Sequence, residues 1–236
     1  MFTEKEILVL KEYLEEGGSL LITLDEGGEN KSFTNINYLL EQYGISFNND
    51  TVIRTTFCKY TYPKECLITN GIMNKEIVRA AKGLPKPLSK KDEYSKNKLG
   101  KKYNEGKESL SINENTGITF VYPFGSTLNV QKPSFPLLSS GPISYPINRP
   151  LCAACVSNSK KGKIIAMGSS RIFEDEYIDK EDNSKLMNVI FSWLLTNEID
   201  LTDYVPEEID LPERQFIPDI MSMAERLRSC LEVKIR

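Results

Sequence analysis

The sequence predicts an α/β sandwich with a mostly parallel sheet. Short apolar runs alternate with amphipathic segments along the 236 residues. The runs carry apolar residues at consecutive positions, which is typical of strands that helices cover on both faces. Since 40% of the residues are hydrophobic, the chain can bury the core that this arrangement requires.

In the N-terminal part, the clearest signals are helix ends. Thr3 and Glu6 have the spacing of a capping box, and Gly17 supplies the positive φ that stops a helix. Thr34 is predicted to cap a second helix, which Gly44 ends. The predicted elements are, in order, a helix up to Gly17, a strand over 19–24, a polar loop over 25–30, a helix from Thr34 to Gly44, an extended segment over 51–58 and a short helix over 74–81.

In the C-terminal part, predicted strands flank a stretch rich in proline and glycine. Residues 123–150 contain eight prolines or glycines, which favours loops with short extended pieces over a long helix. Asp182 or Asn183 is predicted to cap the best amphipathic helix of the chain. The predicted elements are strands over 118–122, 151–156 and 163–167, a helix with the apolar face Leu186, Val189, Ile190, Trp193 and Leu194, and an amphipathic segment over 219–233.

The absence of histidine restricts the chemistry that the chain can perform. It excludes Ser-His-Asp and Cys-His catalysis and every metal site that contains histidine. The net charge of −3 argues against nucleic-acid binding, and no run approaches the roughly 18 apolar residues of a membrane span. We therefore expect a protein that is not an enzyme, has no cofactor or metal, binds no nucleic acid and does not insert into membranes.

Two motifs have a chemical alternative. Cys152 and Cys155 form a C-x-x-C, but in a predicted strand residues three apart point to opposite faces, which favours core cysteines over a zinc or redox site. Five cysteines without a secretory signal favour reduced thiols.

The loop Gly168–Arg171 follows a predicted strand, and Arg171 could hold an anion there. No histidine is available to activate the two serines of this loop.

Two segments differ from the rest in composition. Residues 82–115 contain nine lysines against five acidic residues and few large apolar groups. This composition predicts a disordered insertion, with a nucleic-acid or anionic-lipid patch as the alternative. Residues 202–236 are predicted to form an acidic tail and a C-terminal amphipathic helix, which either docks on the domain or binds a partner. Residues 1–201 would then form the α/β domain.

Four blocks of sequence, over residues 17–67, 119–150, 162–173 and 176–194, carry long runs such as TNINYLLEQYGI and YPFGSTL. In these blocks the chain resembles the N-terminal GIFT domain of intraflagellar transport protein 52, a family of core subunits of the ciliary transport B complex. The resemblance implies a Rossmann-like α/β fold, similar to class I glutamine amidotransferase-like domains. The amidotransferase cysteine and histidine are not carried over.

The resemblance also implies a role. The domain would be a non-catalytic structural and interaction part of the intraflagellar transport B particle, acting in cilium assembly and intraciliary transport. Its partners would be other B-complex subunits, in the cilium, at the ciliary base and in the cytoplasm. A small-molecule or glycan-binding, amidotransferase-like domain is the alternative. The candidate residues of partner-binding loops are Glu26, Asn35, Tyr122, Phe124, Arg149 and Arg171.

Overall fold

The chain combines helices and strands, as the α/β prediction requires, but strict alternation is not found, because three strands follow one another between residues 45 and 68 and six between residues 120 and 167. The computed structural model describes residues 1–56, 59–84, 117–157, 161–196 and 199–201. The helices are α1 (Glu4–Glu15), α2 (Gly28–Ser32), α3 (Asn37–Leu40), α4 (Lys75–Ala81), α5 (Asp175–Ile178) and α6 (Asn183–Leu195), with 3-10 turns over Glu41–Tyr43 and Arg171–Phe173. The strands are β1 (Ser19–Thr23), β2 (Ile45–Phe47), β3 (Ile53–Arg54), β4 (Glu65–Ile68), β5 (Phe120–Pro123), β6 (Leu128–Val130), β7 (Phe135–Ser139), β8 (Ser144–Tyr145), β9 (Pro150–Val156) and β10 (Lys163–Met167).

The largest sheet has four strands in the order β1-β10-β9-β7. β1 pairs with β10 in parallel, with Ser19 opposite Lys163, whereas the β10–β9 and β9–β7 pairs are antiparallel. The prediction of a mostly parallel sheet is therefore wrong for this sheet. The reason is the short connection between β9 and β10, over residues 157–162, because parallel neighbours need a crossover of about a dozen residues or more.

Helices cover both faces of this sheet. Ile165 and Met167 of β10 belong to a buried cluster that includes the apolar faces of α4 and α6. Ile164 and Ala166, which alternate with them along the strand, belong to a second cluster with α1 and α3. Because alternate side chains of a strand point to opposite faces, the two clusters are the two cores of a three-layer α/β sandwich.

α1 begins and ends where the sequence predicts. The Thr3 hydroxyl accepts a hydrogen bond from the Glu6 amide, and the Glu6 carboxylate accepts one from the Thr3 amide at 2.7 Å. This reciprocal pair is a capping box and confirms the prediction. After the helix, Gly17 takes a φ of 100°, which glycine adopts without steric cost.

α6 buries the apolar face that its periodicity predicts. Asp182 is its N-cap residue, but the carboxylate accepts hydrogen bonds from the Thr119 amide at 3.2 Å and from Lys185 Nζ at 2.6 Å. It therefore ties the helix to β5 and does not cap the first turn. The residues of the buried face are Leu186, Val189, Ile190, Trp193 and Leu194, each at most 7% exposed.

The second helix begins later than the sequence predicts. α3 starts at Asn37, and its first amide donates to Glu29 Oε1 at 2.6 Å. Glu29 lies on α2, a short helix within the segment predicted as a polar loop. The long-range carboxylate thus supplies the acceptor that Thr34 was expected to provide. Gly44 ends the segment with a φ of 79°, as predicted.

The sequence prediction contains no strand for β2 or β4, and it includes β7 only among the short extended pieces of the proline-rich stretch. β4 pairs with β5 in an antiparallel ladder that places Cys66 opposite Tyr122. β7 lies within the proline-rich stretch and pairs with β9 with a shift in register between Pro136 and Leu138. An edge strand tolerates proline because one side of it has no ladder to complete.

Two predicted segments lie outside the described residues. They are most of the lysine-rich insertion, from residue 85 to 115, and the tail from residue 202 onward. Their assignment stays a prediction. Within the ranges that are described, no helix combines the length and the apolar character needed to span a bilayer.

Replacing Gly162 by alanine is expected to destabilise the fold, because this glycine packs directly on the end of α1. A Cβ at this position would lie 2.0 Å from the Leu14 carbonyl oxygen and 3.1 Å from that of Gly18. We expect the free energy of unfolding, measured by urea denaturation, to fall by about 2–3 kcal/mol. The control is Gly117→Ala, where the nearest atom is 3.3 Å away and the loss should stay below about 1 kcal/mol. Equal losses of stability in the two variants would contradict the close contact between Gly162 and the end of α1.

Candidate functional site

The loops that follow β1, β5 and β10, called the edge loops here, are joined by hydrogen bonds. The Glu26 amide in the first loop donates to the Phe124 carbonyl in the second at 2.8 Å. Asp25 Oδ1 in the first loop accepts from the amide and the hydroxyl of Ser170 in the third, at 2.9 and 2.8 Å. Residues far apart in sequence therefore form one surface, where loops of α/β proteins commonly bind ligands or partners.

Phe124 lies at the centre of the edge loops and has an unusual backbone. Its φ is 45°, in the left-handed region that bulky residues rarely occupy. Two backbone hydrogen bonds hold it, from its amide to the Lys64 carbonyl at 2.9 Å and from the Glu26 amide to its carbonyl at 2.8 Å. The guanidinium carbon of Arg171 is 4.5 Å from the centre of its ring, and the Tyr62 ring is 5.9 Å away. Such strain persists only where the surroundings enforce it.

Glu26 anchors the loop from inside the protein. Only 7% of the residue is exposed, and its carboxylate contacts Lys31 Nζ at 2.5 Å, Lys64 Nζ at 2.8 Å and the Thr51 hydroxyl at 3.2 Å. Burial raises the pKa of Glu26, but the hydrogen bonds and charges of the two lysines outweigh it and the net pKa is lowered. The carboxylate is thus held ionised as a structural anchor.

Tyr122 lies beneath the loops and is fully buried. Its hydroxyl donates to the Ser126 carbonyl at 2.7 Å, and burial raises the pKa of this phenol well above its usual value. Two glycines make room for it, because a Cβ at Gly125 would lie 2.3 Å from the ring and one at Gly168 would lie 2.5 Å from the hydroxyl. Tyr122 therefore supports the edge loops from below and offers no surface to a partner.

Asn35 and Arg149 lie apart from Phe124. The Asn35 amide group binds the backbone of Phe2 on both sides, accepting at 2.7 Å and donating at 2.9 Å, so it fixes the start of α1. Arg149 is buried and lines a groove of about 530 Å³ beside β2 and β6. The pKa of the buried Asp50 is raised, because burial outweighs the hydrogen bonds from Thr127 and the positive charge of Arg149, which both lower it. Of the six candidates, only Phe124 and Arg171 present side chains on the edge-loop surface.

The polar groups of the third edge loop are already used within the fold. The Ser169 hydroxyl donates to the Pro123 carbonyl at 2.5 Å, and the Ser170 donors bind Asp25. A carboxylate of the protein therefore satisfies the Ser170 donors, whereas it does not contact Arg171, the residue that the sequence suggested for holding an anion. The remaining exposed group is the Arg171 side chain.

The three cysteines within the described residues, Cys66, Cys152 and Cys155, lie in the core. Cys152 belongs to one buried cluster of the sheet and Cys155 to the other, which confirms that the C-x-x-C sulfurs point to opposite faces. Burial raises the pKa of Cys152 and Cys155, and raises that of Cys66 to about 12. Among the described residues, no group of three or more histidine, cysteine, aspartate or glutamate side chains could hold a metal ion.

Tyr62 and Lys64 belong to this site and are absent from the sequence-based candidates. Both precede β4, the strand that the sequence analysis misses, so no strand end pointed to them. The signal that could have found them is the short apolar run Cys66–Ile68, followed by the turn residues Asn70 and Gly71.

Comparison with known proteins gives consistent matches. The family model described as "IFT52 GIFT domain" matches residues 1–207. Two curated relatives, the intraflagellar transport protein 52 homologs of Mus musculus and Homo sapiens, are 43% and 41% identical over 98% of this chain. These alignments cover 50% and 49% of the relatives, so the chain spans about half their length. The solved structure named "mmIFT52 N-terminal domain" matches with a TM-score of 0.68 and 43% identity, over 85% of this chain and 75% of that one.

Replacing Glu26 by glutamine should remove the anchor of the first edge loop. The amide removes the negative charge that Lys64, whose side chain is 9% exposed, contacts at 2.8 Å. Removing one partner of a buried pair costs about 3–5 kcal/mol, and we expect a loss of that size at pH 7. Since the folded-state pKa of Glu26 is lowered, its contribution is present above its unfolded-state pKa and is lost as pH falls through the folded value.

Urea unfolding at several pH values measures both the loss of stability in Glu26→Gln and its dependence on pH. The difference in stability between the wild type and Glu26→Gln should be full at pH 7 and should shrink as the solution is acidified. Glu12→Gln, on the exposed side of α1, is the matched control and should change stability by less than about 0.5 kcal/mol. A difference between wild type and Glu26→Gln that does not change with pH would contradict the ionised anchor.

Proposed function

This chain belongs to the IFT52 GIFT domain family, and we propose that it serves as a non-catalytic structural and interaction domain of the intraflagellar transport B particle. Its processes would be cilium assembly and intraciliary transport. Its partners would be other B-complex subunits, in the cilium, at the ciliary base and in the cytoplasm. The family membership is the single observation that carries the proposal.

The chemistry of the edge loops supports an interaction role. Their carboxylates are bound within the protein: Glu26 pairs with two lysines, and Asp25 binds Ser170. The groups that remain for an outside molecule are Phe124 and Arg171 of the edge loops and the neighbouring Tyr62. Aromatic residues and arginine are the types enriched at protein–protein contacts. Nothing in the described geometry favours the alternative of small-molecule or glycan binding.

The Rossmann-like relation to amidotransferase-like domains belongs to the same proposal. β1 and β10 are parallel neighbours with helices on both faces, and two edge loops follow their carboxyl ends. This is the position at which open α/β sheets place their functional loops. In a domain without the amidotransferase residues, the position would serve a partner protein.

The six candidate residues would then have different tasks. Phe124 and Arg171 would contact the partner. Glu26 and Tyr122 would hold the loop that presents Phe124, while Asn35 would fix the start of α1. Arg149 would act from the separate groove beside β6.

Affinity capture from a ciliated-cell extract, with lysine cross-linking and mass spectrometry, tests this function. We expect the tagged chain to enrich B-complex subunits over a tag-only control. Lys31 and Lys59, whose side chains are 52% and 48% exposed, flank the edge-loop surface, whereas Lys161 lies in the turn at the other end of β10. Cross-links to the subunits should therefore form at Lys31 and Lys59 more often than at Lys161.

Two results would count against the proposal. If a bait that is folded by circular dichroism enriches no B-complex subunit, the domain has no binding role in the particle. If the cross-links concentrate at Lys161, the domain binds the particle through another surface and the edge loops serve the fold alone.

A further inference from the structure

The guanidinium of Arg171 lies over the ring of Phe124. Its central carbon is 4.5 Å from the ring centre, and the residue is exposed. Within the described ranges, no hydrogen bond or ion pair from a protein group reaches it. A guanidinium that stacks on a ring through its face still has the N–H donors at its edge available for hydrogen bonds to a planar acceptor.

The neighbouring cations differ from Arg171 in this respect. Each of them already binds a carboxylate of the domain, so its charge is partly used. The pairs are Lys31 with Glu26, Lys64 with Glu26, Lys59 with Glu181, Lys180 with Glu176, and Lys185 with Asp182. Among the described residues, Arg171 is thus a cation of the edge loops that is not paired with a carboxylate of the domain.

The surroundings of Arg171 define the rest of the surface. Tyr62 is 51% exposed, and its ring lies 5.9 Å from that of Phe124 at an angle of 54°. The three side chains form an apolar patch with a cation on one side, called the aromatic–arginine surface here. Close to it, the Glu26 carboxylate is matched by two lysines.

The surface is also fixed before any partner arrives. The backbone of Phe124 is held by hydrogen bonds to Lys64 and Glu26, and Tyr122 packs beneath the loop between Gly125 and Gly168. Groups that are already ordered lose little conformational entropy on binding. A rigid ring also holds the guanidinium in one plane, which suits the two oxygens of a carboxylate.

We propose that the aromatic–arginine surface binds an aspartate or glutamate side chain of another B-complex subunit. The carboxylate accepts two hydrogen bonds from the rim of the Arg171 guanidinium, and an adjacent apolar residue of the partner covers Tyr62 and Phe124. This inference rests on the proposed function, because it names the partner chemistry of that same surface.

The test compares variants of the tagged chain in capture from ciliated-cell extract, with B-complex subunits quantified by mass spectrometry. Arg171→Ala should lower the captured amount about tenfold, as expected for a central arginine of a contact. Arg171→Lys should lose nearly as much, because an ammonium keeps the charge but cannot form the paired hydrogen bonds. Lys161→Ala removes one positive charge at the far end of β10 and should stay within about twofold of the wild type.

A folding defect is separated from lost binding by thermal unfolding. Arg171 is exposed and its removal leaves no buried group unpaired, so the melting temperatures of all variants should lie within about 2 °C of one another. Capture from phosphatase-treated extract distinguishes a carboxylate from a phosphate group. Unchanged capture after this treatment supports the carboxylate, and lost capture overturns it.

The remaining outcomes are also decisive. If the wild type enriches the subunits and Arg171→Ala captures as much, the inference fails while the proposed function stands. If Arg171→Lys captures as much as the wild type, the positive charge alone matters and the proposal of two paired hydrogen bonds is wrong. If the folded wild type enriches no subunit, the proposed function fails and the inference falls with it.

Discussion

Burial of β9 and β10 on both faces is the constraint on which the rest of the structure depends. Ala153, Ala154 and Ala166 are all fully buried, and their small side chains let helices approach the sheet closely on either side. β10 in turn gives β1 its parallel partner, which sets where the loops after both strands begin. The position of the candidate surface therefore follows from how tightly the central hairpin is packed.

The edge loops show how local strain and distant contacts support each other. Phe124 takes a backbone conformation that costs of order 1–3 kcal/mol in isolation. The hydrogen bonds and the ion cluster of Glu26 offset that cost by fixing both sides of the residue. The result is an aromatic ring held in a fixed position beside the exposed side chain of Arg171.

The sequence predicts the elements that local signals define and misses those that distant contacts define. The capping box at Thr3 and the apolar face of α6 depend on nearby residues, and both predictions are confirmed. The start of α3 depends on Glu29 from another helix, which local spacing cannot show. For the candidate surface, the sequence singles out Phe124 and Arg171, which lie on two different loops. It cannot show that Tyr122 is buried or that Tyr62 lies beside Phe124, because both follow from the β4–β5 pairing.

The thiols of the C-x-x-C motif can report on whether the helix layers of the domain separate from the sheet. Cys152 and Cys155 face different cores and are fully buried, and burial holds both thiols in the unreactive protonated form. Cys155 also lines a small pocket beside α1, with Lys11 and Tyr43, whereas an alkylating reagent can reach Cys152 only when the α6 layer leaves the sheet. The labelling rate of Cys152 therefore reports how often the α6 layer opens.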